Sequence, residues 1–219
     1  MAHVLTVNVA SPQPNPADES LLTGIGKQPT HDCVVVRAPG SAQDGGWSGM
    51  VGDFIGDRHF HGGDDQAVYA YAREDLDNWQ PVIGHPIANG GFGENLTTSG
   101  VDVTHAVIGE RWRVGGGGGP VLEVSAPRIP CRTFAAWLNE RGWVKTFTQA
   151  SVPGAYLRVL SPGTVSAGDE IVVTDRPAHG VTTALVFRAL TTEPESLPKV
   201  LVADALSDDV KRRARKRIH

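Results

Sequence analysis

Val107-Ile108-Gly109-Glu110-Arg111-Trp112-Arg113-Val114, five glycines from Gly115 to Gly119, Pro120, and then Val121-Leu122-Glu123-Val124-Ser125 form the stretch that decides the class of fold. Side chains alternate sides along extended backbone, so Ile108, Trp112 and Val114 share one face. The run from Val121 to Ser125 has the length and composition of a second strand. The glycines and proline between them read as the long, flexible tip of a hairpin.

Strand patterning recurs on either side. In Val4–Val9, Leu5, Val7 and Val9 point one way, and Thr6 and Asn8 share the opposite face. Cys33-Val34-Val35-Val36 is a β-branched run, which places Cys33 in core packing. Glu170–Thr174 closes the series after the turn-like Ala167-Gly168-Asp169. Helices are fewer. Ala72, Leu76, Trp79 and Ile83 recur at helical spacing, and Phe134, Trp137 and Leu138 do so behind an N-cap at Thr133. The reading is a mainly β fold, with a β-barrel-like core over residues 1–175.

Beyond Arg176-Pro177-Ala178-His179-Gly180 the pattern turns helical, giving residues 176–219 as a small three-helix appendage. Thr182 or Thr183 caps a helix over Ala184–Leu190, and Pro198 opens one over Lys199–Ala205. Ser207 caps a third, with Asp208 and Asp209 in its first turn and the basic run Lys211–Arg217 after them, an order that complements the helix dipole. So short a segment buries little alone, so it is expected to pack on the barrel or on a partner.

Composition narrows the function. The chain has 219 residues, 40% of them hydrophobic, which is enough for a sizeable core. A net charge of −4 gives no overall bias toward nucleic acid. The basic run winds around a short helix, so nucleic-acid binding is not expected of it. Two cysteines cannot form a multi-bridge framework, Met1–Val9 reads as a strand rather than a signal peptide, and no run approaches 18 apolar residues. No membrane association is expected. A reducing cytoplasm is the expected address, with both thiols free.

Chemistry concentrates in three segments. In Gly56-Asp57-Arg58-His59-Phe60-His61-Gly62-Gly63-Asp64-Asp65-Gln66-Ala67-Val68-Tyr69, paired glycines let backbone N–H groups turn toward an anion, and Arg58 and the histidines add charged donors. The plainer alternative is a tight turn before a strand. His59 and His61 point oppositely on extended backbone, and no ligand set has zinc spacing. In Gly90-Gly91-Phe92-Gly93-Glu94-Asn95-Leu96-Thr97-Thr98, the glycines permit close approach to a ligand, with Glu94 and Asn95 facing a heterocycle edge; a turn entering a strand is the plainer reading. In Ser125-Ala126-Pro127-Arg128-Ile129-Pro130-Cys131-Arg132-Thr133-Phe134, the thiol of Cys131 lies between two arginines near a helix start. Both features favour a thiolate, the side-chain donor a soft or high-valent metal prefers.

Taken in order, these segments resemble the MOSC family, named for the C-terminal domain of molybdenum cofactor sulfurase, and most of all its bacterial YiiM type. The resemblance rests on His61-Gly62-Gly63-Asp64 with Ala67-Val68-Tyr69, on Phe92-Gly93-Glu94-Asn95-Leu96, and on Pro127-Arg128-Ile129-Pro130-Cys131. Val165–Asp169 and Pro177–Val181 add to it, and it runs from about Gly24 onward. It implies a β-barrel core, a molybdenum cofactor of the molybdopterin type, and Cys131 as metal ligand and catalytic residue. Arg128, His61, Gly62, Gly63, Glu94, Asn95 and Arg58 would line the cofactor pocket. It further implies an oxidoreductase that reduces N-hydroxylated compounds such as hydroxylaminopurines, with a role in detoxifying base analogues. No flavin, nicotinamide or iron–sulfur fingerprint occurs in the chain, so a separate electron-donating reductase is the expected partner. Oligomerisation is compatible with the sequence. The alternatives are a sulfur carrier and a non-catalytic protein that binds or delivers the cofactor. Pyridoxal phosphate is associated with the family at large, but nothing here resembles a pyridoxal-phosphate desulfurase domain.

Overall fold

A computed structural model describes residues 1–40, 47–57 and 61–218; Arg58, His59 and Phe60 of the first chemical segment lie outside them. The chain begins with β1 (His3–Val9), the short hairpin β2 (Gln13–Asn15) and β3 (Asp18–Thr23), β4 (Gln28–Thr30) and β5 (Val34–Val36). Then come β6 (Val68–Ala72), α1 (Arg73–Ile83), β7 (Leu96–Ser99), β8 (Arg111–Val114) and β9 (Val121–Ala126). The second half holds α2 (Arg132–Leu138), α3 (Trp143–Ala150), β10 (Ala155–Ser161), β11 (Gly163–Val165) and β12 (Ile171–Asp175). The C-terminal helices are α4 (Thr183–Thr191), α5 (Leu197–Val200) and α6 (Asp208–Ile218).

Eight strands form one sheet in the order β12-β8-β9-β10-β6-β7-β1-β4, flanked by the pairs β11-β5 and β2-β3. β8 and β9 pair antiparallel with Trp112 opposite Leu122, as the hairpin pattern requires. The glycine tip is tied down rather than loose: Gly115 N–H donates to Glu170 O, Gly119 N–H to Gly116 O and Thr164 N–H to Gly118 O. β6 and β7 run parallel, which needs a crossover, and α1 supplies it. The sheet is not a closed barrel among the described residues. Its β12 end reaches β1 through the bridge between His3 and Glu170 and the hydrogen bonds from Val4 N–H to Asp169 O and from Ile171 N–H to Ala2 O. Mainly β with helices packed on it is therefore the architecture, and ladder closure is the part the sheet does not complete.

Local chemistry explains several departures from the sequence pattern. β1 slips register against β7 between Val4 and Thr6, so Val4, Val7 and Asn8 are buried while Leu5 and Val9 are only partly so. Asn8 tolerates the interior because its amide donates to Glu94 O and Thr97 Oγ1. Cys33 is exposed rather than core, because it precedes β5 and only Val34 and Val36 turn inward. The helix after Pro130 starts two residues earlier than the Thr133 cap implies. Cys131 is the N-cap, and Thr133 Oγ1 accepts from Asn15 Nδ2 at 3.1 Å.

Thr182 caps α4 through Leu185 N–H, and Ser207 Oγ accepts from Val210 N–H ahead of α6. The middle helix is shorter than the expected Lys199–Ala205, a 3-10 turn at Pro194–Ser196 running into four residues of α5. Val186, Ala189, Leu190, Leu197, Val200, Leu206, Val210 and Ala214 join the strands in one apolar core. Phe187 reaches an aromatic cluster with Trp79, Phe92, Phe134, Trp143 and Phe147. In α6, Arg212 and Arg213 pair with Asp209, and Arg217 donates to Leu190 O. Among the described residues no helix is long and apolar enough to cross a membrane. Because the helices complete the core of the sheet, Phe187→Ala should destabilise the whole chain by about 3–5 kcal/mol. Urea unfolding followed by far-UV circular dichroism and by tryptophan fluorescence should shift together, in one transition.

Candidate functional site

The third chemical segment leaves the sheet at the end of β9 and enters α2, and it lines a cleft of about 860 Å³. Cys131, Arg132 and Thr133 reach this cleft from α2 and its cap, and Arg128 from the connecting loop. His61, Gly62 and Gln66 come from the turn before β6, Asn95 from the start of β7, and Lys27 and Asp53 from loops on the far wall. Tyr69 of β6 and Tyr156 of β10 complete the interior lining.

Arg128 is 6% exposed. Its guanidinium carbon lies 4.1 Å from the ring centroid of Phe134 and 5.1 Å from that of Tyr69, and Nη1 donates to Phe92 O. Its Nε is buried without a hydrogen-bond partner. Burial opposes the charge, yet Tyr69, Tyr156 and Cys131 hold Arg128 more firmly protonated than usual. The same proximity acts on the sulfur. Burial alone would push the Cys131 thiol up, but a hydrogen bond from His61, the Arg128 charge and the Phe134 N–H bring it down to about 6. A thiolate is therefore the resting form near neutral pH.

The opposite wall holds the buried pair Lys27–Asp53, at 2.5 Å. Burial draws Lys27 below the ordinary ammonium range, and Asp53 offsets that only in part. Asp53 is also a hub: Oδ1 accepts from Ala10 N–H at 2.8 Å, and Oδ2 from Ser48 Oγ at 2.7 Å and Asn95 Nδ2 at 2.9 Å. Asn95 lines the cleft, but its amide is committed to Asp53 on one side and to Tyr69 N–H on the other. Its part is to position.

Glu94 does not line the cleft. Its carboxylate turns into its own loop, accepting from Gly90 N–H, Phe92 N–H and Thr97 Oγ. Burial nevertheless raises its pKa, the hydrogen bonds opposing. Fully buried and turned to these donors, the carboxylate presents no edge to the cleft, so the hydrogen bonds of its own segment explain it. Gly63 is also off the lining; at φ +82° it opens the 3-10 turn Asp64–Gln66 and sets the entry to β6. The structure thus brings together Cys131, Arg128, His61, Gly62 and Asn95, leaves Glu94 and Gly63 behind the wall, and does not describe Arg58.

Lys27, Asp53 and Tyr156 are the residues that motif reading passed over, and Tyr69 stood in a quoted motif without a role. The alternating glycines of Gly24-Ile25-Gly26-Lys27 were a signal. A Cβ at Gly24 would lie 1.8 Å from Phe54 O, so the chain there presses backbone on backbone and delivers Lys27 inward. Among the described residues no group of three or more histidine, cysteine or carboxylate side chains converges on one point to hold a metal ion. The cleft can hold an anion against buried cations and offer one thiolate.

In a Cys33→Ser background without bound cofactor, alkylation of Cys131 by iodoacetamide should follow the thiolate. Its rate should rise with pH to a plateau with a midpoint near 6, and His61→Ala should move that midpoint upward; an unmoved midpoint would count against the His61 contact. Glu94→Ala should cost about 3 kcal/mol or more in urea titration, since it strands buried donors.

Comparison with known proteins agrees with this layout. The sequence profile of the MOSC domain matches residues 57–172. The chain is 31% identical over 186 residues to the uncharacterized protein YflK of Bacillus subtilis (strain 168), covering 84% of this chain and 79% of that one. It is 30% identical over 129 residues to a protein named reductase from Gibberella moniliformis, covering 56% of this chain but only 23% of that longer protein. The crystal structure of YiiM from Geobacillus stearothermophilus superposes with a TM-score of 0.79 at 25% identity, over 100% of both chains. With Cys131, Arg128, His61 and Asn95 of the cleft inside the matched region, the chain belongs to the MOSC domain family and is of its YiiM type.

Proposed function

We propose that the cleft holds a molybdenum–pterin cofactor and that the loaded protein reduces N-hydroxylated compounds such as hydroxylaminopurines. The observation that carries this reading is the Cys131 thiolate, fixed at the mouth of α2 beside His61 and the buried Arg128. The residues fit such a group. Among the described residues the donor set offers one thiolate and no cluster of three or more histidines, cysteines or carboxylates, which suits a metal whose other ligands come from its own organic cofactor. The buried, unpartnered Nε of Arg128 is a donor in want of an acceptor. At Gly93, beside Arg128 Nη1, φ is +77°, a left-handed backbone that favours glycine.

In this reading Cys131 is the protein ligand to the metal, and Arg128 and Lys27 hold the anionic part of the pterin. Asp53 keeps Lys27 in place, and Asn95 keeps Asp53 in place. His61 orients the sulfur through its hydrogen bond. When bound, the cofactor supplies the two-electron chemistry that takes an N–OH group to N–H and water. Those electrons come from a separate reductase, because the chain has no electron-carrying fingerprint of its own. The family's association with molybdenum-cofactor binding and the partial match to a protein named reductase support the reading. A reducing, cytoplasmic setting suits it, since Cys131 must stay a thiol.

Cys131→Ser tests it directly. Serine is nearly isosteric, but its hydroxyl stays protonated and is a poor ligand, so the fold should survive while molybdenum content falls at least tenfold, on the order expected for a lost metal ligand. Hydroxylaminopurine reduction with an artificial electron donor should fall with it, and Cys33→Ser should retain both. A wild-type protein that loads the cofactor yet turns over no N-hydroxylated compound would instead make the chain a cofactor carrier.

A further inference from the structure

The cleft has two unlike halves. One part of its lining is polar and buried, with Arg128 on one wall and Lys27, Asp53 and Asn95 on the other. Another part is apolar and more open, where Leu21, Leu22, Phe54 and Ile55 line the cleft beside the exposed Asp57 and Arg132. Leu21 and Leu22 are each 53% exposed, although they are adjacent on one strand and both belong to the lining. Exposed leucines set side by side at a cleft entrance leave apolar area that a bound molecule would remove from water.

This lip is built rather than loose. Pro14 faces Leu22 and Gln13 faces Thr23 across the β2–β3 hairpin, and Asn15 at its turn donates to Thr133 beside Cys131. The segment carrying Phe54 and Ile55 is pressed against the same hairpin. A Cβ at Gly56 would lie 1.9 Å from Leu22 O, so only glycine allows that approach. Leu22 is therefore held by its pairing with Pro14 and its contact with Gly56, and Leu21 precedes it in the stretch where the β2–β3 register shifts.

We infer that Leu21 and Leu22 are specificity residues, forming an apolar lip that selects N-hydroxylated compounds with a flat aromatic body over small hydrophilic ones. The inference rests on the reductase reading above. The anionic cofactor would occupy the buried cationic part of the lining, which leaves the substrate the more open part, where Leu21 and Leu22 offer apolar contact. Half-exposed leucines covered by an aromatic ring contribute roughly fivefold or more in affinity as a pair.

The test uses Leu21→Ser with Leu22→Ser in the purified, cofactor-loaded protein. Binding of 2-aminopurine, a fluorescent aromatic amine that needs no turnover, should weaken at least fivefold while molybdenum content and thermal unfolding stay unchanged. The ratio of kcat/KM for N-hydroxyaniline to that for N-hydroxyurea should fall by a similar factor. Leu21→Met with Leu22→Met, which keeps apolar bulk, should restore both. Wild-type 2-aminopurine affinity with an unaltered ratio overturns the inference, and so does a loss of molybdenum that tracks the loss of binding, since the leucines would then touch the cofactor. If no N-hydroxylated compound is turned over by the wild type but the serine variant still loses 2-aminopurine, the lip stands and the reductase reading falls.

Discussion

The burial of the Arg128 charge is the constraint around which the site is organised. A guanidinium taken out of water without a counter-ion costs several kcal/mol, and cation–π contact returns only about 0.5–2 kcal/mol per ring. Phe134 and Tyr69 together therefore do not offset it, and the hydrogen bond from Nη1 to Phe92 O leaves Nε unmatched. The balance is met by negative charge from the cleft. In the chain itself this is the Cys131 thiolate, and the proposed cofactor would bring more. Thiolate and guanidinium stabilise each other, which is why an acidic thiol and a strongly basic arginine occur in one loop.

Two buried carboxylates do the rest of the positioning, and neither is aimed at ligand. Asp53 gathers the end of β1, the Ser48 loop, Asn95 and Lys27 around one side chain, so several separate pieces of chain converge on the floor. Glu94 closes the Gly90–Gly93 turn that carries Phe92, whose carbonyl in turn holds Arg128. Trp137 Nε1 ties the same turn to α2 through Gly91 O. A buried acceptor stripped of its donors, or the reverse, costs more than the pair contributes, so such a network specifies one geometry more than it adds stability.

The C-terminal helices show how a short segment becomes useful to a site it does not touch. Phe187 packs its ring 6.0 Å from that of Phe147, and Phe147 lies 5.3 Å from Phe134, the ring under Arg128. The aromatic cluster thereby connects α4 to the cleft through side chains alone. The basic run of α6 spends much of its charge locally, on Asp209, Asp204 O and Leu190 O.

Sequence alone determined the local grammar: the β8–β9 hairpin, α1 and its buried Leu76 and Trp79, the Ser207 cap, a cap for α4 at Thr182 or Thr183, and a cysteine flanked by Arg128 and Arg132 near a helix start. Each follows from the periodicity or backbone preference of a few neighbouring residues. Tertiary structure decided what depends on distant chain. A register slip in β1 exchanged which residues face inward, because side-chain sides alternate and one extra residue inverts them. Glu94 looked like a ligand donor because its motif cannot reveal that three donors of its own loop reach it first. Lys27 and Asp53 were silent because an ion pair 26 positions apart leaves no period in a sequence. Cys33 and Cys131 carry the same thiol, and only their surroundings, an open loop end for one and His61 with Arg128 for the other, made one of them the acid.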